Sequence, residues 1–217
     1  MNDSALKSFC TWARTELIKG VEAQMVRYGV TEPVPSPVGS ETVNGLPLSP
    51  AEVVQRDELL RIQTEVGHEA LRDRAAYTWF NRLIAIRFME VNDYLPSHIR
   101  VLSSESGKLE PDLVTTPFDA ELPFTAEEEA QIFQLKQDNK LDEVFRILFL
   151  KQCNALNEIL PALFEKTKNY TELLLSLSVI DQDGVVYHLI HDIPEVVFNI
   201  ERGGQVEIIG WLYQYYN

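Results

Sequence analysis

Histidine and cysteine are the side chains of this sequence whose chemistry can be tested first by spacing. His188 and His191 lie three positions apart, but neither an HExxH motif nor a third clustered ligand accompanies them. A zinc site needs three or four such ligands on rigid elements. Cys10 and Cys153 are the only cysteines and have no paired spacing. We therefore expect no metal site, surface or capping roles for the histidines, and two buried thiols in preference to a disulfide.

Glycines and carboxylates are the other groups from which a catalytic site could be built. A phosphate-binding loop needs several glycines ahead of a helix and a Lys-Ser or Lys-Thr pair. The pair Gly203-Gly204 has neither, so it predicts a turn. The acidic run Glu127–Glu129 lies at a predicted helix start, where it complements the helix macrodipole. We expect no catalytic residue and no cofactor-binding residue in this chain.

A polar stripe on an otherwise apolar predicted helix is the one candidate contact surface. The stripe contains Arg74, Asn81 and Arg82. Its residues could contact DNA phosphate or a partner domain. Alternatively, the arginines pair with acidic side chains inside the protein, which we favour because the helix is apolar over most of its circumference. Arg87 lies beside the apolar face, with Glu90 as its predicted partner three residues further on.

The elements that position these residues are predicted to be mostly helices. Capping boxes open at Ser49 and Thr125, where a side chain can accept a hydrogen bond from a free N–H group of the first helical turn. Short strands are expected at Ile99–Leu102 and Val185–Leu189. Apolar residues at helical spacing predict helices over Ser4–Tyr28, Pro50–Val66, His68–Asp93, a segment opening at Thr125, Leu141–Leu156 and Val206–Tyr216, with short pieces at Ile159–Phe164 and Tyr170–Leu175.

Prolines and glycines set residues 31–48 apart from the helices. Six of them fall within Thr31–Leu48. Because proline fixes φ and removes a hydrogen-bond donor, we predict an extended surface loop without a regular element there. The fold class is therefore mainly α, an irregular multi-helix domain with a long Pro/Gly-rich loop and at most a small β element. We expect one domain over residues 1–217.

The charge balance limits the partners of the chain. It has 33 acidic and 19 basic residues, a net charge of −14. Nonspecific duplex binding depends on neutralising phosphates, so this chain should not hold DNA well by itself, although it could bind a basic protein surface. No apolar stretch approaches the roughly 20 residues that a membrane span needs. Nothing resembles a signal peptide, and we expect a soluble cytoplasmic protein without a membrane partner.

Four stretches of the sequence resemble one protein family. The longest reads AYTWFNRLIAIRFMEVNDY over Ala76–Tyr94 and resembles the N-terminal signature of PglX, the adenine-specific DNA methyltransferase of the BREX phage-exclusion systems. Three others resemble the family's start, a middle segment and the segment before its methyltransferase domain: NDSALKSF at Asn2–Phe9, FEKTKNYTELLL at Phe164–Leu175 and VEIIGWLYQYY at Val206–Tyr216. The four lie in family order and span nearly the whole chain.

The resemblance implies a parent enzyme that transfers a methyl group from S-adenosylmethionine to the exocyclic amine of adenine. Such enzymes generally carry a glycine-bearing cofactor loop and an Asn-Pro-Pro-Tyr-type motif, whose aromatic ring stacks on a flipped base. This chain contains neither Pro-Pro nor Asn-Pro. The catalytic motifs are therefore expected beyond Asn217, and no catalytic or cofactor residue is carried over to this chain.

Residues and resemblance together predict an N-terminal helical scaffold domain that is not catalytic by itself. It is expected to pack on the methyltransferase domain of the same chain, with residues 206–217 forming a helix that leads toward that domain. DNA would be reached through the parent enzyme, and other BREX proteins are further candidate partners. The alternative is a stand-alone acidic interaction module that binds a basic partner or mimics DNA. The sequence leaves open the methylated DNA motif and the oligomeric state.

Overall fold

Helices form most of the chain that the structure describes. The computed structural model describes residues 3–32, 36–161, 164 and 169–217. A two-stranded antiparallel sheet pairs β1 (Thr42–Val43) with β2 (Leu46–Pro47). The mainly α fold class with a small β element is confirmed. The α-helices are α1 (Asp3–Arg27), α2 (Pro50–Val66), α3 (His68–Val91), α4 (Asp112–Thr115), α5 (Ala126–Gln137), α6 (Leu141–Asn157), α7 (Asn169–Glu172), α8 (Val185–His191) and α9 (Ile208–Tyr216).

The two predicted capping boxes set the starts of α2 and α5. The Ser49 hydroxyl accepts a hydrogen bond from the Glu52 N–H at 3.3 Å, and the Glu52 carboxylate accepts one from the Ser49 N–H at 2.8 Å. Thr125 and Glu128 repeat this reciprocal arrangement at α5. Gly67, with φ 89°, separates α2 from α3. These helix starts are confirmed because each is set by local chemistry.

The Pro/Gly-rich loop contains more regular structure than its composition predicts. Val43 lies opposite Leu46 in the short hairpin. Asn44 and Gly45 between them have φ values of 50° and 79°, the left-handed conformation of a two-residue turn for which Asn-Gly is favoured. The prediction of no regular element is therefore wrong over residues 42–47. Residues 33–35 of this loop lie outside the described part of the chain.

The strand predicted at Val185–Leu189 is wrong, because this segment is part of α8. Short apolar runs are ambiguous between strand and helix. Val185, Val186 and Leu189 are all buried, and this spacing fits one face of a helix. The segment Ile99–Leu102 is not a strand either. Two of its backbone N–H groups donate to a carboxylate on α3, so they are not free to pair with a second strand.

The remaining differences concern the ends and the short pieces. The third predicted helix ends at Val91, and the last begins at Ile208. The piece predicted at Tyr170–Leu175 is helical only up to Glu172, where the single turn α7 ends, and is wrong over residues 173–175. The piece predicted at Ile159–Phe164 is not helical at residues 159–161 and 164, while residues 162–163 lie outside the described chain.

Contacts within the chain define two compact units. Unit 1 comprises Met1–Ala13, Asn81–Lys166 and Leu177–Asn217, and unit 2 comprises Arg14–Phe80 and Thr167–Ser176. By sequence, unit 1 has 22 acidic and 11 basic residues, and unit 2 has 11 acidic and 8 basic residues. The single domain expected over residues 1–217 stays a prediction.

Each unit has its own packed helices. In unit 1, α6 packs against α4 and α5 and buries Phe145, Leu148 and Phe149 completely. In unit 2, α2 packs against α7, with Leu59 fully buried. None of the helices in the described ranges is long and apolar enough to cross a membrane.

Candidate functional site

The predicted polar stripe is divided between the two units. Arg74 is exposed and belongs to unit 2, whereas Asn81 and Arg82 belong to unit 1. Arg82 is buried, with 3% of its surface exposed. Asn81 is half-buried, and its backbone carbonyl accepts a hydrogen bond from the Tyr213 hydroxyl at 3.1 Å. Of the three stripe residues, Arg74 alone has the exposure that a contact to phosphate or to a partner would require.

A buried ion pair on α3 is the centre of the polar structure of unit 1. Arg87 Nη1 donates to Glu90 Oε1 at 2.8 Å, and these side chains are 2% and 0% exposed. The predicted pairing is therefore confirmed. Glu90 Oε2 also accepts hydrogen bonds from the N–H groups of Val101 and Leu102, both at 2.8 Å. Because a buried charge is costly unless it is paired and hydrogen-bonded, these contacts make the position of Glu90 tolerable.

Further polar side chains extend the pair into an arginine–glutamate cluster, which comprises Arg87, Glu90, Arg100, Ser103 and Glu195. Ser103 Oγ donates to Glu90 at 2.9 Å and accepts from Arg87 at 3.1 Å. Arg100 donates to both oxygens of Glu195, at 2.8 and 3.1 Å. Arg87 reaches the same carboxylate at 3.4 Å. The hydrogen bond from Arg100 lowers the pKa of Glu195, and its counterpart from Glu195 raises the pKa of Arg100.

Within the cluster, the Glu90 carboxylate is fully engaged by contacts inside the protein. A general base needs an accessible lone pair within reach of its substrate, whereas the Glu90 carboxylate accepts four protein hydrogen bonds and its side chain is fully buried. Sequence reasoning found Arg87 and Glu90 but missed Glu195, which lies more than a hundred positions away. The signal in the sequence was the presence of Arg87 and Glu90 on a helix that is apolar over most of its circumference, because buried charges need partners.

Asn92 makes a second long-range connection that sequence reasoning missed. Its side-chain N–H donates to the carbonyl of Phe198 at 2.8 Å, and its Oδ1 accepts from the N–H of Ile200 at 2.9 Å. An amide can satisfy a backbone donor and a backbone acceptor at once. Asn92 therefore fixes residues 198–200 against the end of α3 within unit 1.

Arg56 is a buried basic residue of unit 2, and the sequence analysis did not single it out. It is fully buried, and its guanidinium donates to three backbone carbonyls: Tyr28 at 2.6 Å, Ser36 at 2.7 Å and Pro37 at 3.0 Å. Burial lowers the pKa of Arg56, and the neighbouring Asp57 opposes this shift. Arg56 therefore fastens the start of the Pro/Gly-rich loop to α2.

Asp57 fastens the same loop at a second point. Both of its oxygens accept from the Gly39 N–H at 3.0 Å. The signal for Arg56 was present in the sequence, because residues 56, 59, 60 and 63 are the buried face of α2 and an arginine on such a face needs internal partners.

A groove of about 1240 Å³ lies beside this loop in unit 2, and its lining includes Val38, Val54 and Tyr170. Glu58 and Arg61 also line it, and they form an ion pair at 2.7 Å. Asp57 lines the groove as well, so the mainly apolar walls of the groove carry two acidic side chains and one basic side chain.

The histidines of α8 take the surface and capping positions that were expected. His188 Nδ1 lies 2.6 Å from a carboxylate oxygen of Asp192. The His191 ring stacks on Tyr187 at 3.9 Å, in the last turn of the helix. Within the described ranges, no group of three or more His, Cys, Asp or Glu side chains is arranged to hold a metal ion.

The remaining sequence candidates have structural roles. Cys10 and Cys153 are buried and form no disulfide, and burial raises the pKa of the Cys10 thiol to about 12. Gly203-Gly204 forms the predicted turn, with φ 93° at Gly203. A Cβ on Gly204 would lie 2.6 Å from the carbonyl oxygen of Asn199, so a close backbone approach explains this glycine.

The chain is thus a mainly α structure with buried, hydrogen-bonded charges in each unit, and its sequence relates it to a class of methyltransferases. It is a homologue of part of the adenine-specific methyltransferases. No family model matches it.

The relatives are PglX and BrxX. The chain is 41% identical over 239 aligned residues to the adenine-specific methyltransferase PglX of Lacticaseibacillus casei (strain Zhang), an alignment that covers 100% of this chain and 20% of that protein. It is 33% identical over 228 residues to the adenine-specific methyltransferase BrxX of Escherichia coli O9:H4 (strain HS), covering 100% of this chain and 18% of that protein. The resemblance to PglX is confirmed. The chain spans about a fifth of the length of these relatives, which is consistent with the expected N-terminal region.

Proposed function

We propose that this chain is the N-terminal helical scaffold region of an adenine-specific DNA methyltransferase of a BREX phage-defence system. The observation that carries the proposal is the 41% identity along the whole chain to one fifth of PglX. Binding of S-adenosylmethionine and transfer of the methyl group belong to the rest of the parent enzyme, which acts on DNA in the cytoplasm. The scaffold packs on the methyltransferase domain of the same chain and offers a surface to other BREX proteins.

Two features of the described chain support a scaffold role. The charged groups of the arginine–glutamate cluster bond to groups inside unit 1, and these bonds hold distant segments of the unit in one arrangement. Arg56 does the same for the loop of unit 2. Such interiors favour a rigid frame and leave no free acid–base pair at their centre.

The DNA contribution of this region is expected to be small and local. Its net charge of −14 opposes phosphate binding. Arg74 is the exposed member of the polar stripe, so Arg74→Glu in the parent tests a phosphate contact. If Arg74 contacts phosphate, the substitution weakens DNA binding. It also lowers the slope of the logarithm of the affinity against the logarithm of the salt concentration by about one unit. Unchanged affinity and an unchanged salt slope would remove Arg74 from the interface.

An exchange experiment in the relative tests the proposal. The segment of the L. casei PglX that aligns with this chain is replaced by this chain, and a matched variant lacks the segment altogether. Adenine methylation of plasmid DNA is measured for both proteins and for the unaltered relative. The scaffold proposal predicts methylation by the exchange protein and little or none by the deletion variant. Equal methylation by the deletion variant, or none by the exchange protein, would contradict it.

A second candidate function rests on the charge of unit 1. Its 22 acidic and 11 basic residues would suit an acidic interaction module that binds a basic partner or mimics DNA. Gel filtration separates the two candidates, with the remaining four-fifths of PglX in one mixture and a basic DNA-binding protein in the other. The scaffold proposal predicts co-elution in the first mixture, whereas the acidic module predicts it in the second.

A further inference from the structure

Three phenylalanine rings form a partly exposed cluster in unit 1, which we call the phenylalanine patch: Phe118, Phe124 and Phe133. The ring centroids of Phe118 and Phe124 lie 5.7 Å apart, and those of Phe118 and Phe133 lie 5.1 Å apart. Phe133 is 58% exposed although it lies within the helix α5. Clustered exposed aromatic rings, unlike single exposed apolar residues, mark interaction surfaces.

The helix that carries Phe133 leaves most of its surface unpartnered. Of its 12 residues, Ile132 and Leu135 are the buried ones, so one narrow stripe attaches α5 to the rest of unit 1. Ala126, Glu129 and Ala130 are exposed on the turns before Phe133. This helix face therefore presents an aromatic ring, small side chains and a carboxylate to the solvent.

Acidic residues lie close in sequence to each phenylalanine of the patch. Asp119 follows Phe118, Glu121 lies three residues before Phe124, and Glu129 lies one helical turn before Phe133. All three acidic residues are exposed, and no basic side chain of the described chain lies within 4.0 Å of their carboxylates.

The two lysines nearest in sequence, Lys136 and Lys151, have other hydrogen-bond partners. Lys136 donates to the carbonyls of Val114 and Thr115, at 2.6 and 2.9 Å. Lys151 pairs with Glu128 at 2.7 Å and donates to the Pro123 carbonyl at 3.0 Å. Carbonyl groups are neutral, so Lys136, three residues after Phe133, keeps its positive charge. Three carboxylates without a basic partner in the described chain against this one ammonium group leave a net negative charge for an outside partner to complement.

We infer that the phenylalanine patch docks a basic amphipathic helix of a partner protein, with apolar side chains on the rings and Lys or Arg opposite the three carboxylates. The negative charge beside the patch distinguishes a basic helix from two other possible occupants, a second copy of this chain and DNA. A second copy of this chain would bring like charges together, and DNA would be repelled by the same carboxylates. A basic helix matches both the apolar and the acidic part of the surface, as in helix-in-groove recognition.

A peptide titration tests the inference with the whole chain. The probe is a fluorescein-labelled Leu/Lys peptide of about 14 residues, long enough to cover the roughly 18 Å of α5, with leucines at helical spacing. Fluorescence anisotropy gives its affinity. The comparison peptide has glutamate in place of every lysine. Binding of the Lys peptide and not of the Glu peptide is expected, and absence of binding by the Lys peptide would overturn the inference.

Matched variants separate docking at the patch from general attraction to an acidic protein. Phe133→Ser is compared with Val206→Ser, because Val206 is 57% exposed and also lies in unit 1. Asp119→Asn with Glu129→Gln is compared with Asp183→Asn with Glu201→Gln, which remove the same charge from exposed positions of that unit. The two patch variants should weaken binding, Phe133→Ser by about tenfold, and the two controls should not.

Equal effects of patch and control variants would overturn the inference. Circular dichroism of each variant checks that the helices are retained. The inference goes beyond the proposed function, and its failure is distinguishable, because the exchange experiment in PglX measures methylation and does not depend on the peptide.

Discussion

Arg87 in unit 1 and Arg56 in unit 2 are both buried, but their guanidinium groups have different principal partners. Arg87 pairs with the carboxylate of Glu90 at 2.8 Å. Arg56 donates to three backbone carbonyls at 2.6 to 3.0 Å, and its contact to the carboxylate of Asp57 is longer, at 3.4 Å. The comparison therefore teaches that the two units should respond differently to substitution, although each is organised around a buried guanidinium.

The two arginines also connect different kinds of segment. Arg56 ties a loop to the helix that follows it, so its partners lie within 28 positions in the chain. The cluster around Arg87 joins α3 to Glu195, 108 positions away. Loss of the first should loosen a loop, whereas loss of the second should release a distant segment.

The largest effect is expected from breaking the buried pair. Arg87→Met leaves the Glu90 carboxylate buried without its counter-ion, so we expect a loss of about 3–5 kcal/mol in the free energy of unfolding. Urea denaturation measures this loss, and hydrogen exchange should rise first at residues 101–103. The double variant Arg87→Met/Glu90→Met should not recover stability, because two backbone N–H groups lose their acceptor. Recovery to the stability of the parent chain would contradict the role given to Glu90.

A smaller loss is expected from Arg56→Lys. The charge is kept, but one ammonium group cannot reproduce the planar guanidinium that reaches three carbonyls, so we expect a loss of about 2 kcal/mol. Hydrogen exchange should increase in residues 36–48 and remain unchanged at residues 101–103. An equal rise in hydrogen exchange at residues 101–103, or an unchanged rate at residues 36–48, would contradict the assignment.

Glu195→Gln should produce a loss that depends on pH. The hydrogen bond from Arg100 lowers the pKa of Glu195 below its ordinary value of 4.5. A carboxyl whose pKa is lowered in the folded state stabilises it above the ordinary value, and this contribution is lost as the pH falls through the folded-state pKa. We expect a loss of about 1 kcal/mol at pH 7 for this half-exposed ion pair. The difference should shrink below pH 4.5, and a constant difference would argue against an ionic contribution.

The smallest effects are expected at the two helix caps, one in each unit. Ser49→Ala and Thr125→Ala each remove a side-chain acceptor for a backbone N–H, at a cost of about 1 kcal/mol. Thermal unfolding of both variants measures the loss, with Ser8→Ala, which removes an exposed hydroxyl on α1, as the control. Similar losses at both caps would show that the units differ in their buried charges and not in local helix chemistry. A cap variant no less stable than the control would contradict the capping assignment.

Features encoded by neighbouring residues were predictable from the sequence. The starts of α2 and α5 follow from reciprocal hydrogen bonds within four residues. The Arg87–Glu90 pair was predictable because its members lie three positions apart on one helix. Asn44-Gly45 is also a local sequence signal for a two-residue hairpin turn, but the prediction for this loop followed from its prolines and glycines alone.

Features that depend on distant backbone were not predictable. Arg56 binds carbonyl groups, which every residue has, so no side-chain pattern reveals its partners. The segment Ile99–Leu102 reads as a strand until the Glu90 carboxylate takes two of its N–H groups. The docking role of the phenylalanine patch required the exposure of Phe133, which apolar periodicity alone would place in the core.

The most direct test of the scaffold account is a calorimetric titration of the 217-residue chain with S-adenosylmethionine, followed by a methyl-transfer assay on DNA. The intact L. casei PglX serves as the positive control for both measurements. The account predicts binding and methyl transfer by the intact relative and neither by this chain alone. Micromolar binding of S-adenosylmethionine by the isolated chain, or methylation of adenine by it, would contradict the account.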